Sequence, residues 1–184
     1  ESFALRAKQN KFLAAQAANS DLGQAKKQVS VQSLVAAYRF LGSRWAELDP
    51  LKRRERPEIP ELEPSFYGLT EADLDEKYST SNTYFGQDSM SLRDLLQALR
   101  TTYCGTLGAE FMYISDPAEK RWWQERLESS KATPQFSAEQ KKRIMLELTE
   151  AEGIERYLHT RYVGQKRFSL EGGESFIASM DALI

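Results

Sequence analysis

Four of the chain's six prolines lie between Pro50 and Pro64. Proline has no amide hydrogen to give a helix interior, and it steers the residue before it out of the helical region. Residues 50–68 therefore cannot be crossed by a helix and read as an extended, charged surface segment. On both sides of it the apolar residues recur at helical spacing, so the chain is read as helices interrupted by one proline-rich excursion.

Before the excursion, Val31, Leu34, Val35, Tyr38, Leu41, Trp45 and Leu48 follow the spacing of one buried helical face, and Asp49-Pro50 stops it. Residues 1–28 are rich in Ala, Gln and Lys. Phe3, Leu5, Phe12 and Leu13 are their scattered apolar points, and the segment reads as a leading helix or a linker. After the excursion, Thr70 and Asp73 have capping-box spacing, with Leu69 and Leu74 placed as a hydrophobic staple for a short helix ending near Tyr78. A polar loop follows. Ser91 and Asp94 open the next helix, whose stripe is Leu92, Leu95, Leu96, Leu99 and Tyr103, and Gly105 stops it. Residues 109–114 are the one strand-like run. Asp116-Pro117 starts a helix carrying Trp122, Trp123 and Leu127. The two tryptophans are adjacent, so one is expected in the core and the other at an edge or interface. Ser137 and Gln140 cap another helix. Thr149 and Glu152 mark either a further start or a bend. Gly172-Gly173 leads into a last stripe of Phe176, Ile177, Met180, Leu183 and Ile184.

Several classes are excluded by residue counts. The 184 residues contain one histidine, His159, and one cysteine, Cys104. A Cys/His zinc site needs three or four such ligands. His159 has no evident triad partner and reads as a surface or structural residue, and Cys104 as a buried inert thiol. There is no glycine-rich nucleotide loop. With 25 basic and 27 acidic residues interspersed, no nucleic-acid-binding stripe is evident. No apolar run reaches the roughly 20 residues of a membrane span, and no signal pattern opens the chain. A lone cysteine cannot form an internal disulfide, which fits a cytoplasmic setting. Glu1 in place of methionine, and an apolar stripe without a stop signal at the other end, suggest a piece of a longer protein.

Four stretches, in order, resemble the thiamine diphosphate-dependent decarboxylating component of 2-oxoglutarate dehydrogenase, most of all its proteobacterial members. They are Ala37-Tyr38-Arg39-Phe40-Leu41-Gly42 with Leu48-Asp49-Pro50-Leu51; Tyr103-Cys104-Gly105 with Gly108-Ala109-Glu110-Phe111-Met112-Tyr113-Ile114; Lys120-Arg121-Trp122 with Arg126-Leu127-Glu128; and Leu148-Thr149 with Ala151-Glu152-Gly153, then Lys166-Arg167-Phe168-Ser169-Leu170-Glu171-Gly172-Gly173. Ser43 and Tyr113 stand where that family often has histidine, so neither position can act here as a general base.

The resemblance implies an amino-terminal region of such an enzyme. The expected fold is all-α, an irregular domain of about six to eight helices leading into a transketolase-like α/β core that is absent from this chain. Residues 1–28 would be the leading helix or linker, 29–165 the helical domain, and 166–184 the start of the connection to the core. The full enzyme would use thiamine diphosphate and magnesium, act as a homodimer, and work with dihydrolipoyl succinyltransferase and dihydrolipoyl dehydrogenase. No catalytic, cofactor-binding or metal residue is expected in this chain, which would be inactive alone. Arg167, Phe168, Ser169, Glu171, Gly172 and Gly173 are the candidates for a neighbourhood of the full enzyme's active site. Gly172-Gly173 lets the backbone approach closely, and the helix start beyond it could hold an anion. A non-catalytic helical interaction module and the related 2-oxoadipate dehydrogenase are the alternatives.

Overall fold

The computed structural model describes the backbone of residues 2–53 and 55–184 and the side chains of 21–53 and 55–184. Two compact units are present, residues 1–133 and 134–184. The described residues form five α-helices, three single-turn 3₁₀ helices and one two-stranded ribbon. The fold is thus mostly helical. It has fewer α-helices than the six to eight expected, and it carries an antiparallel ribbon that an all-α reading leaves out.

In the first unit, α1 spans Ser2–Trp45 as one continuous helix. The apolar points Phe3, Leu5, Phe12 and Leu13 lie outside the described side chains. From residue 24 on, α1 is anchored by polar contacts: Gln28 exchanges two hydrogen bonds with the Ser79 backbone, at 2.8 and 2.9 Å. The expected face is real, with Val31, Leu34, Val35 and Tyr38 buried and Leu41 and Trp45 packed at its margin. α1 ends at Trp45, before the Asp49-Pro50 stop. The Glu47 amide leaves the helix and donates to the Gly105 carbonyl instead, at 2.8 Å, and Leu48 is exposed.

The proline-rich excursion is not fully extended. Pro60–Leu62 and Pro64–Tyr67 form 3₁₀ turns, each started by a proline at its first position. Leu62 is buried, and Ser30 of α1 donates to the Tyr67 carbonyl at 3.0 Å.

The helix expected from Thr70 to Tyr78 reduces to one 3₁₀ turn, Glu71–Asp73. The Asp73 carboxylate still accepts from the Thr70 amide at 2.7 Å. Propagation fails because the next carbonyls are used elsewhere. Those of Leu74 and Glu76 accept from the amides of Arg93 and Leu92 at 2.9 and 3.1 Å, which supplies partners for the first turn of the following helix. The chain then enters β1 (Lys77–Ser79), which pairs antiparallel with β2 (Ser89–Ser91). Tyr78 lies opposite Met90, and both face the core.

α2 (Leu92–Tyr103) starts where Ser91 accepts from the Asp94 amide at 3.1 Å, and buries Leu92, Leu95, Leu96, Leu99 and Tyr103. It crosses α1 closely: a Cβ on Gly42 would lie 2.6 Å from the Tyr103 Cβ. Residues 109–114 form no strand. Phe111 is buried in a stack on Tyr103, ring centroids 6.3 Å apart, and a turn follows in which the Ile114 amide donates to the Phe111 carbonyl at 3.1 Å. α3 (Pro117–Ser130) starts at Asp116, which accepts from the Ala118 amide at 2.8 Å, and Leu127 and Glu128 are its buried residues. Trp122 and Trp123 are 51% and 38% exposed, so neither is in the core.

The second unit is a helical hairpin. α4 (Ala138–Arg161) begins with the Ser137–Gln140 capping box and runs through Thr149 unbroken. The Thr149 hydroxyl donates back to the Met145 carbonyl at 2.7 Å, so the second box spacing starts nothing. α5 (Glu174–Asp181) packs against α4, with Arg143 bonded to Asp181 at 2.5 Å.

Candidate functional site

Arg39, Tyr103 and Glu128 come from three helices and meet in the first unit's interior. The Glu128 side chain is fully buried. One of its oxygens accepts from Arg39 Nε and from the Tyr103 hydroxyl, both at 2.7 Å. The other accepts from Arg39 Nη2 at 3.0 Å and from the Tyr84 amide at 2.8 Å. Arg39 Nη2 also donates to the Asn82 carbonyl at 2.9 Å. A buried charge is tolerated when it is paired and its remaining hydrogen-bonding capacity is filled, and this cluster meets both conditions.

Its chemistry is static. Burial works against the Arg39 charge, but the bonds to Glu128 and its negative charge outweigh burial and raise the guanidinium pKa. Burial, then the neighbouring carboxylate, pushes the Tyr103 phenol far up. Neither group can exchange a proton near neutral pH. The cluster fixes α1, α2, α3 and the loop at 82–84 relative to one another.

Cys104, beside it, is buried, and burial pushes its thiol up to about 11 against the weaker pull of Arg100 and Arg56. It is the inert thiol expected. A second buried carboxylate, Asp73, is held down to about 2, by Lys27 first and by the Thr70 amide next.

The residues singled out between Arg167 and Gly173 lie in the second unit. α4 presents Glu152, Glu155, Arg156, His159 and Thr160 along one face, and the segment after Arg161 folds back over it. Glu155 is the anchor: it accepts from Arg167 Nη1 at 2.5 Å, from the Ser169 hydroxyl at 2.9 Å and from the Leu170 amide at 3.2 Å. Those bonds, Arg167 first, lower the Glu155 pKa. A cleft of about 450 Å³ results, lined by these residues with Glu171 and Glu174. Arg167, Ser169 and Glu171 are thus brought together. Phe168 is fully exposed and takes no part. The Gly172 amide, in the turn where Gly172 has φ +86°, donates to Glu174 at 3.1 Å. His159 lines the cleft and is exposed. Sequence alone places it at the surface and does not associate it with this segment. The signal that could have done so is its spacing of four and seven residues from Glu155 and Glu152, which places all three on one helix face.

This donor set does not fit a diphosphate carried on magnesium. Arg167 is neutralised by Glu155 and Arg156 by Glu152, at 2.5 and 2.6 Å. The cleft holds four carboxylates against these two guanidinium groups, so a further anion would meet net negative charge. Among the described residues, no three metal-ligating side chains gather to hold a cation.

What fold and sites define together is a mostly helical segment whose buried charged groups, Arg39, Asp73 and Glu128, are all paired. No family model matches the chain. Curated proteins do match it. It is 64% identical over all 184 of its residues to the 2-oxoglutarate dehydrogenase E1 component of Cupriavidus necator, of which it spans 19%. It is 46% identical over 159 residues to that of Azotobacter vinelandii and 44% identical over 161 residues to that of Brucella anthropi, spanning 17% and 16% of them. By sequence the chain is similar to 2-oxoglutarate dehydrogenase E1 components, of which it spans less than a fifth of the length.

Proposed function

We propose that this chain is the amino-terminal helical region of a 2-oxoglutarate dehydrogenase, an enzyme that decarboxylates 2-oxoglutarate on thiamine diphosphate and magnesium and passes the succinyl group to lipoamide. In that enzyme the cofactor supplies the carbanion chemistry and the protein positions it. The chain's own part is structural. The observation that carries this reading is the convergence of three of the four matching stretches on the buried cluster: Arg39 comes from the first, Tyr103 from the second and Glu128 from the third. Gly108 of the second also packs on Leu48 of the first, where a Cβ would lie 2.9 Å from the leucine Cδ1. The stretches act as contacts between helices. Residues 166–184 are the connection toward the rest of the enzyme, with Arg167, Phe168, Ser169, Glu171, Gly172 and Gly173 its part nearest the active site. The homodimer and the complex with dihydrolipoyl succinyltransferase and dihydrolipoyl dehydrogenase belong to the whole enzyme, as does a cytoplasmic setting.

Thermal unfolding of the chain with and without thiamine diphosphate and magnesium tests this. A ligand at a hundred times its dissociation constant stabilises the state it binds by about 2.7 kcal/mol, which for this size is roughly 5–10 °C in Tm. The expected shift is zero. A saturable rise would overturn the structural reading.

A further inference from the structure

A cavity of about 240 Å³ lies in the first unit, between the later turns of α1, the Pro60–Leu62 turn and the end of α2. Pockets for drug-sized ligands run to roughly 300–1,000 Å³, so this one suits a smaller molecule. Trp45, Ile59 and Leu62 give it apolar walls. Tyr38, Arg100 and two carboxylates, Glu58 and Glu63, give it polar ones.

The polar groups are only partly committed. Tyr38 is 1% exposed, and its hydroxyl accepts from Arg100 Nε at 3.1 Å. The hydroxyl donates to nothing among the described residues. A buried donor left unspent lowers stability unless a partner is found for it, and this one borders the cavity. Arg100 Nη2 reaches Glu63 at only 3.4 Å, and Nη1 bonds to nothing among the described residues. Phenol and guanidinium thus stand side by side as donors, a pairing that suits a carboxylate. The charge of the lining runs the other way. Glu58 and Glu63 outnumber Arg100, so a bare anion would meet net negative charge. Glu58 belongs to no ion pair among the described residues.

A ligand that satisfies both demands carries a carboxylate and an ammonium close together, with an apolar body for Trp45, Ile59 and Leu62. We propose that the cavity binds a free α-amino acid with an apolar side chain. Its carboxylate accepts from the Tyr38 hydroxyl and from Arg100, its ammonium faces Glu58, and its side chain lies against Trp45. The backbone of a polypeptide segment does not supply this pattern, because its α-amino and α-carboxyl groups are spent in peptide bonds. The site goes beyond the scaffold reading and does not rest on it.

Calorimetric titration of the purified chain with L-leucine tests this. Saturable, single-site binding is expected. Isocaproate, which is leucine without its ammonium, and isoamylamine, which is leucine without its carboxylate, should give no saturable heat over the same range. Tyr38→Phe keeps the ring in the core and should weaken leucine binding by roughly tenfold or more, through the lost bond to a charged group. Glu58→Gln, at an exposed position, should weaken it by about threefold. Circular dichroism checks that both variants are folded. The absence of saturable heat from both L-leucine and L-phenylalanine overturns the proposal. So does isocaproate binding as tightly as leucine, or a folded Tyr38→Phe variant that binds leucine as the unsubstituted chain does.

Discussion

Arg39 grips Glu128 with two hydrogen bonds across 89 residues of sequence, at 2.7 and 3.0 Å, in the interior of the first unit. The paired geometry is what makes the burial tolerable. The Glu128 carboxylate accepts two further hydrogen bonds, from the Tyr103 hydroxyl and the Tyr84 amide.

At Gly42 α1 runs so close to the end of α2 that only a hydrogen fits against Tyr103. Gly42→Ala should destabilise the chain by about 1–3 kcal/mol through overpacking. Gly23→Ala, in the same helix but with nothing within 4 Å, should stabilise it by about 0.5–1 kcal/mol. Urea denaturation of both variants checks the contrast, which helix propensity alone would not produce.

Asp73 titrates at about 2 when folded, against an ordinary 3.8. Its folded pKa is depressed, so its stabilisation is present above pH 3.8 and is lost as pH falls toward 2. It amounts to at most about 2 kcal/mol. Stability measured against pH for Asp73→Asn should lie below the unsubstituted chain at pH 5 to 7, with the gap closing as pH approaches 2.

Cys104 should resist a thiol reagent at pH 8, because its folded pKa of about 11 leaves little thiolate and its sulfur is buried. Labelling followed by mass spectrometry should show modification only under denaturing conditions. Fast labelling of the folded chain would contradict the packing around it.

Glu155 tethers the 166–170 segment through a side chain of Arg167, the Ser169 hydroxyl and the Leu170 amide. Glu155→Ala should release that segment and speed tryptic cleavage after Lys166 and Arg167, with cleavage in the first unit unchanged. Equal rates in both proteins would mean that the tether contributes nothing.

The helix starts were legible because caps are local chemistry. Ser91 and Ser137 each accept from the amide that their spacing identifies, and Asp116, read as a cap from the proline after it, accepts from the Ala118 amide. The buried stripes of α1 and α2 were equally plain in the spacing of Val31 to Tyr38 and Leu92 to Tyr103. What failed depends on distant partners. The Thr70 helix lost its carbonyls to α2, and the ribbon has strands of three residues each, too short for alternation to register. Residues 109–114 had strand composition but no neighbouring strand to pair with. Arg39 and Glu128 were both noted within matching stretches, yet spacing along a chain cannot reveal a pair 89 residues apart. In the candidate site, Arg167, Ser169 and Glu171 were identified from sequence, but their anchor Glu155 was not, since it lies on the preceding helix.

The most direct test of the cluster's role is a double-mutant cycle on Arg39 and Glu128, read by urea unfolding. Arg39→Met and Glu128→Leu should each cost about 3–5 kcal/mol, because each leaves a buried charge without its partner. The double variant should cost far less than the sum, a coupling of at least about 2 kcal/mol. Single costs below about 1 kcal/mol that simply add would contradict the claim that this pair holds the helices together.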